Sequence, residues 1–245
     1  SDDPKAKVDL SGRGDFFNFI PVKEFIVDVD SAHVINTGAV RPYHADRMLR
    51  PLIWKFSNSM AIKDDLAVMD FVAGNNWERP LYYSVTVPAS TYIGLQDYFI
   101  LEGMAYRVSP VRIDPPAQGE TGMVDTREMY ENMMNHFRWG NAEKEGVYLD
   151  ENNRRMIDVF RRQFARLAIA LVEEGDTVRA IAAVEKGLSI VPPEKMPYDY
   201  FSSDLAEALA LAGKTEEAEK LFREIVANSL ASLSFIASLP DRKSY

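Results

Sequence analysis

Asn75-Asn76-Trp77-Glu78-Arg79-Pro80-Leu81-Tyr82-Tyr83 lies where one periodicity of the chain gives way to another. Upstream, Lys63-Asp64-Asp65 puts acidic residues at the start of a helix, where the macrodipole favours them. Leu66, Met69 and Val72 follow at the three-residue spacing of a buried helical stripe. Gly74 is a natural left-handed terminator, with Asn75-Asn76 as the turn. Downstream, Arg79 precedes a proline and is pushed towards extended geometry. Pro80 can open a strand but cannot sit in the middle of a central one. Residues 81–87 are rich in aromatic and β-branched side chains, as strands are. The stretch is a helix-to-strand joint with Trp77 and Arg79 on its loop. Trp77 can plug the core while Arg79 pairs with a carboxylate, or both can face a ligand.

The same punctuation organises the flanks. Residues 1–21 are polar, contain Gly12 and Gly14, and read as an arm or loop; Arg13-Gly14-Asp15 spells an adhesion tripeptide short enough to arise by chance. Over residues 22–29, Phe25, Val27 and Val29 alternate with Glu24 and Asp28, the pattern of a half-buried strand. Asp28-Val29-Asp30 resembles the metal-holding DxD of sugar-nucleotide transferases, although two carboxylates at a strand end are the ordinary make-up of a solvated turn. Pro42 begins a short helix that Pro51 stops, and residues 52–56 form a second strand. A short helix over 95–101 stops at Gly103, and 104–113 is extended again. Residues 53–113 thus alternate strand and helix, which favours one sheet with parallel pairs and helices packed on it. Asp125 and Glu128 have the spacing of a capping box. Met129, Tyr130, Met133, Met134 and Phe137 then share a helical face, which Arg138-Trp139-Gly140-Asn141 closes.

From Asp150 the period becomes helical throughout. Met156, Phe160, Phe164, Leu167 and Leu171 mark one helix; Gly175-Asp176 turns the chain; Ala180, Val184 and Leu188 mark its return, and Pro192 ends it. Phe164, Leu167, Ala168, Leu171, Ala180, Val184, Gly187 and Pro192 fit the tetratricopeptide pattern, with small residues where two helices approach closely. A second copy runs through Leu205, Ala206, Leu209, Gly213-Lys214, Ala218 and Phe222. Its turn glycine lies 38 residues after the first, against about 34 for an uninterrupted repeat. Residues 230–239 read as a cap on the array. The expected architecture is an α/β N-terminal domain (mixed sheet with flanking helices) over 1–149, followed by an all-α tetratricopeptide-like helical repeat region over 150–245. The repeats can serve as a protein-binding groove or as a buttress.

Composition narrows the chemistry. With 28 basic and 37 acidic residues the net charge is −9, which disfavours nucleic acid and anionic membrane surfaces. There are no cysteines, hence no disulfides, thiolate metal sites or thiol nucleophiles. No apolar run approaches the ~18 residues of a bilayer span. The chain opens on Ser1-Asp2-Asp3-Pro4 without an initiator Met, which points to a segment of something longer. His33, His44 and His136 lack the spacing of a zinc site. Neither a Gly-x-Ser-x-Gly nucleophile elbow nor a dinucleotide fingerprint occurs. No catalytic set, metal or cofactor is assigned. Trp77, Tyr82, Tyr83, Tyr92, Tyr98, Phe99 and Tyr106 crowd into thirty residues; such faces stack on sugars and cations, or build a dense sheet core.

Several phrases carry a family resemblance. They are Lys63-Asp64-Asp65-Leu66-Ala67-Val68-Met69-Asp70, the joint 75–83 itself, Tyr92-Ile93-Gly94-Leu95, Leu101-Glu102-Gly103-Met104-Ala105-Tyr106-Arg107-Val108, Met129-Tyr130-Glu131-Asn132-Met133-Met134, Phe137-Arg138-Trp139-Gly140-Asn141 and Tyr148-Leu149-Asp150. In this order they resemble the C-terminal region of a bacterial multi-spanning membrane family, domain of unknown function 2723, grouped with protein O-mannosyltransferase-like glycosyltransferases. The resemblance covers roughly residues 1–240 and is firmest over 60–150. It implies an upstream membrane-spanning half that takes sugar from a polyprenyl-phosphate donor, and an extracytoplasmic (periplasmic) place for this region. The catalytic acids would lie in that half, so none is carried here. Asn76, Trp77, Arg79, Pro80, Gly103, Trp139, Gly140 and Asn141 match the family motifs, while Glu78 stands where the family often has a basic residue. Candidate substrate contacts are therefore Asn76, Trp77, Arg79, Tyr82, Tyr83, Trp139 and Asn141. The expected partners are the membrane half and an acceptor protein or glycan. The rival reading is an interaction module that uses the helical repeats.

Overall fold

Alternation over 24–27 does what the pattern requires: Phe25 and Val27 turn inward while Glu24 and Ile26 stay exposed. This strand pairs with residues 52–55, where Leu52 and Trp54 are buried and Ile53 and Lys55 are exposed. The computed structural model describes residues 7–9, 12–14, 16–18, 23–58, 60–114 and 119–239. Its strands are β1 (Lys7–Asp9), β2 (Phe16–Asn18), β3 (Glu24–Val27), β4 (Leu52–Lys55), β5 (Leu81–Ser84), β6 (Phe99–Leu101), β7 (Ala105–Val108) and β8 (Met123–Val124). Its α-helices are α1 (Ser31–Asn36), α2 (Lys63–Asn75), α3 (Thr126–Glu131), α4 (Glu151–Glu173), α5 (Thr177–Ser189), α6 (Ser203–Leu211) and α7 (Thr215–Ser238). The N-terminal region is thus mixed α/β and the C-terminal half helical. By contacts the chain divides into Ser1–Ile100 with Tyr106–Met123, and Leu101–Ala105 with Val124–Tyr245.

The strands do not form the single sheet that alternation suggested. β1 pairs with β2 and β3 with β4, both antiparallel, while β5-β7-β6-β8 makes a separate four-stranded sheet. β4 therefore never joins β5 and β7. The helix between β4 and β5 is not a crossover between neighbouring strands, because β4 finds its partner upstream. Residues expected as an arm hold the β1–β2 hairpin, where the Asp9 carboxylate accepts from the Gly12 and Gly14 amides at 2.8 and 3.0 Å. The helix expected over 95–101 is a 3-10 turn, Leu95–Tyr98, that runs straight into β6. Three buried residues in a row, Phe99, Ile100 and Leu101, mark a strand covered on both faces, a pattern that mimics a buried helix in sequence.

In the first unit Trp54 is the largest fully buried side chain. It stacks against Phe25 at 5.1 Å and donates its indole N–H to the Ile93 carbonyl at 2.9 Å. Gly94 passes so close to β4 that a Cβ there would lie 1.9 Å from the Lys55 carbonyl oxygen. Arg107, fully buried, donates to the Gly38 carbonyl at 3.1 Å and to that of Ala39, which also accepts from Ser109 Oγ at 2.6 Å.

In the second unit the Asp125 carboxylate accepts from the Glu128 amide at 3.1 Å and starts α3, as the capping pattern predicts. Asp150 and Asp176 cap α4 and α5 in the same way. Phe164, Leu167, Leu171, Ala180 and Val184 close the α4–α5 seam. Gly187 permits that approach: a Cβ there would sit 2.9 Å from Phe164 Cβ. Leu205, Ala206, Leu209, Ala218 and Leu221 are buried on α6 and α7, but Phe222 is exposed. Residues 230–239 are no separate cap, because α7 continues unbroken through Ser238.

Candidate functional site

The joint between α2 and β5 is held from three sides. Trp77 Nε1–H donates to the Asp28 carbonyl at 2.9 Å. His33 Nε2 donates to the Asn76 carbonyl at 3.0 Å, since a carbonyl can only accept. The Asn75 side chain clasps Arg79 twice: its amide donates to the Arg79 carbonyl at 2.7 Å and its oxygen accepts from the Arg79 amide at 3.3 Å. Gly74 is not the terminator. The helix runs to Asn75, and the left-handed residues are Asn76 (φ 44°) and Trp77 (φ 59°). A bulky residue at positive φ is an outlier. Such geometry costs on the order of 1–3 kcal/mol and persists only where surrounding contacts over-determine it.

This turn sorts the candidate residues. Trp77 is buried, 7% exposed, beside Leu52, Val72, Leu81, Leu95 and Val108 around a residual void of ≈ 10 Å³. The indole therefore locks the turn and leaves no space for a ligand against it. Asn76, Glu78, Arg79 and Pro80 are exposed, and Tyr82 is 46% exposed on β5. Tyr83 points the other way, its ring 5.8 Å from Tyr92 and 5.0 Å from Phe99. Its buried hydroxyl has no hydrogen-bond partner, and its pKa is pushed up to about 12 by burial and secondarily by the Asp65 charge. Phe99 in turn stacks on Tyr106 at 5.2 Å. Most of the aromatic crowd is thus core. Leu66, expected on the buried stripe of α2, is exposed, whereas Asp65 is buried and accepts from the Ile62 amide at 3.1 Å.

Asp28-Val29-Asp30 is used for structure: the Asp28 carbonyl receives Trp77, and the Asp30 carboxylate caps α1 by accepting from the His33 amide at 2.7 Å. Among the described residues no group of three or more His, Asp or Glu could hold a metal ion. The accessible groups of the joint, namely a guanidinium, an amide and a phenol, can donate hydrogen bonds to hydroxyl, carboxylate or phosphate oxygens.

Trp139 and Asn141 belong to the second unit. Trp139 packs its ring 5.0 Å from Phe160, 5.2 Å from Phe164 and 5.9 Å from Phe137. Asn141 is exposed at φ 56° and its carbonyl accepts from the Lys144 amide at 3.0 Å. The sequence reading missed Arg161 of α4. It is fully buried, donates to the Val191 and Met196 carbonyls at 3.2 and 3.3 Å, and lies 4.8 Å from the Tyr198 ring centre. Burial pulls its pKa down, opposed by Tyr198, Asp158 and Asp199. One turn earlier, burial and then the Asp199 charge push Asp158 up to about 6, with Arg161 pulling the other way. The available signal was position: Arg161 shares the four-residue ladder of the buried Ile157 and Ala165. Tyr198 also floors a groove of ≈ 410 Å³ between α5 and α7, lined by Ile181, Leu188, Leu209 and Leu221 and rimmed by Glu185, Lys220 and Glu224.

Residues 1–128, just over half of the chain, match TMEM260-associated domain 2. The chain belongs to that family. The matched segment contains the whole joint, with Asn76, Trp77, Arg79, Tyr82 and Tyr83, and stops before Trp139 and Asn141. The turn that pins Trp77 is thus a feature of the TMEM260-associated part, while the groove of α5–α7 lies outside it. No curated protein and no solved structure matches the chain. Among the described residues no helix is long and apolar enough to cross a membrane.

Proposed function

We propose that this chain is the extracytoplasmic part of a membrane-embedded glycosyltransferase of the protein O-mannosyltransferase-like kind, and that it positions an acceptor protein or glycan without performing the transfer. The family's name ties it to TMEM260. The resemblance of its phrases to domain of unknown function 2723 supports a polyprenyl-phosphate donor, an upstream membrane-spanning half and a place on the periplasmic side of the bacterial inner membrane. The observation that carries the reading is the clamped joint. Two successive left-handed non-glycine residues are kept in place by His33, Asp28 and Asn75, and they present Asn76 and Arg79 at the surface beside Tyr82. Strain of this kind, held on a rigid core, suits a preorganised contact. The contact surface is then Asn76, Arg79 and Tyr82, with Trp77 and Tyr83 supporting it from within.

A second reading rests on the groove of α5–α7. The α4–α5 and α6–α7 hairpins are two tetratricopeptide-like units, and an apolar floor of ≈ 410 Å³ has the size of a site for partner side chains. Titrating the chain with acceptor peptides and glycans separates the two. Saturable binding lost in Arg79→Ala but kept in Ile181→Glu favours the first, and the reverse pattern favours the second. Sugar transfer from a polyprenyl-phosphate donor by this chain alone would overturn both.

A further inference from the structure

We propose that the groove between α6 and α7 receives an amphipathic helix of a partner protein that carries lysine or arginine along its edges. The groove encloses ≈ 450 Å³ and is lined by the small residues Ala206 and Ala218, the ring of Phe222 and three carboxylates, Asp204, Glu207 and Glu219. No Lys or Arg lines it, and it shares no lining residue with the groove of α5–α7.

The first hairpin of the second unit shows what such a surface takes. The turns of α4–α5 and α6–α7 are built alike. The Gly175 amide donates to the Val172 carbonyl at 2.9 Å and the Gly213 amide to that of Ala210 at 3.0 Å. The Asp176 amide donates to Leu171, and the Lys214 amide to Leu209, both at 2.8 Å. The 38-residue offset carries Ala165 onto Ser203, Arg166 onto Asp204, Ile169 onto Glu207, Ile181 onto Glu219 and Val184 onto Phe222. In every pair the first residue is the more covered; Val184 is 1% exposed and Phe222 54%. The cover on the first hairpin is a helix, because α6 packs against both α4 and α5 with Leu205, Ala208 and Leu209 buried. On the second hairpin that place is open among the described residues. Ala206 and Ala218 stand where Ala168 and Ala180 stand in the first, and side chains this small let another helix come close.

Charge selects the chemistry of the occupant. Where α6 meets a cation and two aliphatic side chains, Arg166, Ile169 and Ile181, a helix on the second hairpin meets Asp204, Glu207 and Glu219. Glu219 is paired with Arg223, but Asp204 and Glu207 have no ion-pair partner among the described residues. A helix with neutral or acidic edges would leave these carboxylates uncompensated, whereas lysine or arginine edges neutralise them and fix the register. A second copy of a chain of net charge −9 is disfavoured on the same ground. The occupant therefore presents apolar anchors at i, i+3 and i+4 between basic flanks.

Fluorescence anisotropy on the full 245-residue chain tests this with a labelled peptide of about four helical turns. The peptide repeats the spacing of Leu205, Ala208 and Leu209 and carries lysine on the flanking positions; a twin carries glutamate there. The lysine peptide should bind saturably, at least ~tenfold tighter than its twin. Binding should weaken at least ~threefold as salt rises from about 0.05 to about 0.5 M. Glu207→Lys and Phe222→Ala should each weaken it at least ~fivefold with far-ultraviolet circular dichroism unchanged, since both side chains are exposed. Glu185→Lys, the same charge change in the α5–α7 groove, should leave binding as it is. The absence of saturable binding by the lysine peptide overturns the proposal, as does equal binding of the twin. So does a loss in Glu185→Lys as large as in Glu207→Lys, which would mark a general attraction to an acidic chain. A dimer in sedimentation velocity that Phe222→Ala disperses would give the groove to a second copy and overturn it too.

Discussion

Replacing Trp77 by alanine separates a fold anchor from a ligand contact. A tryptophan buries roughly 200 Å², and at about 25 cal/mol/Å² a nearly complete burial is worth about 4–5 kcal/mol. Trp77 is 7% exposed, so nearly all of that area is lost in Trp77→Ala. The Asp28 carbonyl also loses its donor, for which about 1 kcal/mol is the appropriate low figure because Asp28 itself is exposed. Alanine still has a Cβ, so the left-handed backbone at φ 59° gains no relief. The expected loss is about 5 kcal/mol, on the scale of a whole domain's stability. The chain has three tryptophans, and in a Trp139→Phe background Trp54 remains as a reporter within the first unit. Trp54 is 1% exposed, so its emission shifts strongly when that unit opens. Urea titration followed by this signal should show Trp77→Ala largely unfolded without denaturant and Trp77→Phe weakened by only ~1–2 kcal/mol. Arg79→Ala should lie within about 0.5 kcal/mol of the parent, as exposed substitutions do. A Trp77→Ala transition within about 1 kcal/mol of the parent would refute the claim that the indole locks the joint.

Further outcomes follow from individual geometries. Asp158 has a raised carboxyl pKa, so its contribution to stability is complete below the usual carboxylate range near 4 and is lost as pH rises through about 6. Two units correspond to ~3 kcal/mol, but the side chain is only part-buried and solvent screening reduces this to about 1 kcal/mol. Asp158→Asn should therefore stabilise the second unit at pH 8 and do nothing at pH 4, as read by thermal melts at both values. Gly187→Ala gains ~1 kcal/mol of helix propensity but forces a Cβ to 2.9 Å from Phe164 Cβ. Overpacking of ~1–3 kcal/mol outweighs that gain, and a Phe164→Ala background should relieve it only in part because the nearest atom is a Cβ. Asp125→Ala removes the cap of α3 and should cost about 1 kcal/mol in chemical denaturation.

Local signals were legible in the sequence where a single residue's backbone chemistry decides the outcome. Asp125 starts its helix as its spacing from Glu128 predicts, and Asp150 and Asp176 cap helices where the sequence showed a change of period and a turn, because a capping carboxylate acts within three residues. The alternation about Phe25 and the stripe from Phe164 to Leu171 also held, since each helix or strand must bury one side. The 95–101 reading failed because a short apolar run does not reveal whether one side or both will be covered. Gly74 misled because two contacts distant in sequence, at Asp28 and His33, together with the neighbouring Asn75 side chain, stabilise left-handed geometry at Asn76 and Trp77 and so remove the need for glycine.

By itself, then, the sequence determined the mixed α/β start and the helical second half, both set by short-range periodicity and capping, while its quoted phrases carry the family resemblance. Only tertiary structure decided that β4 pairs with β3, that Trp77 and Tyr83 face inward while Asn76, Arg79 and Tyr82 face out, that Arg161 is buried, and that Phe222 is exposed. Those outcomes depend on which surfaces meet, and partners far along the chain leave no mark on the local pattern of either one.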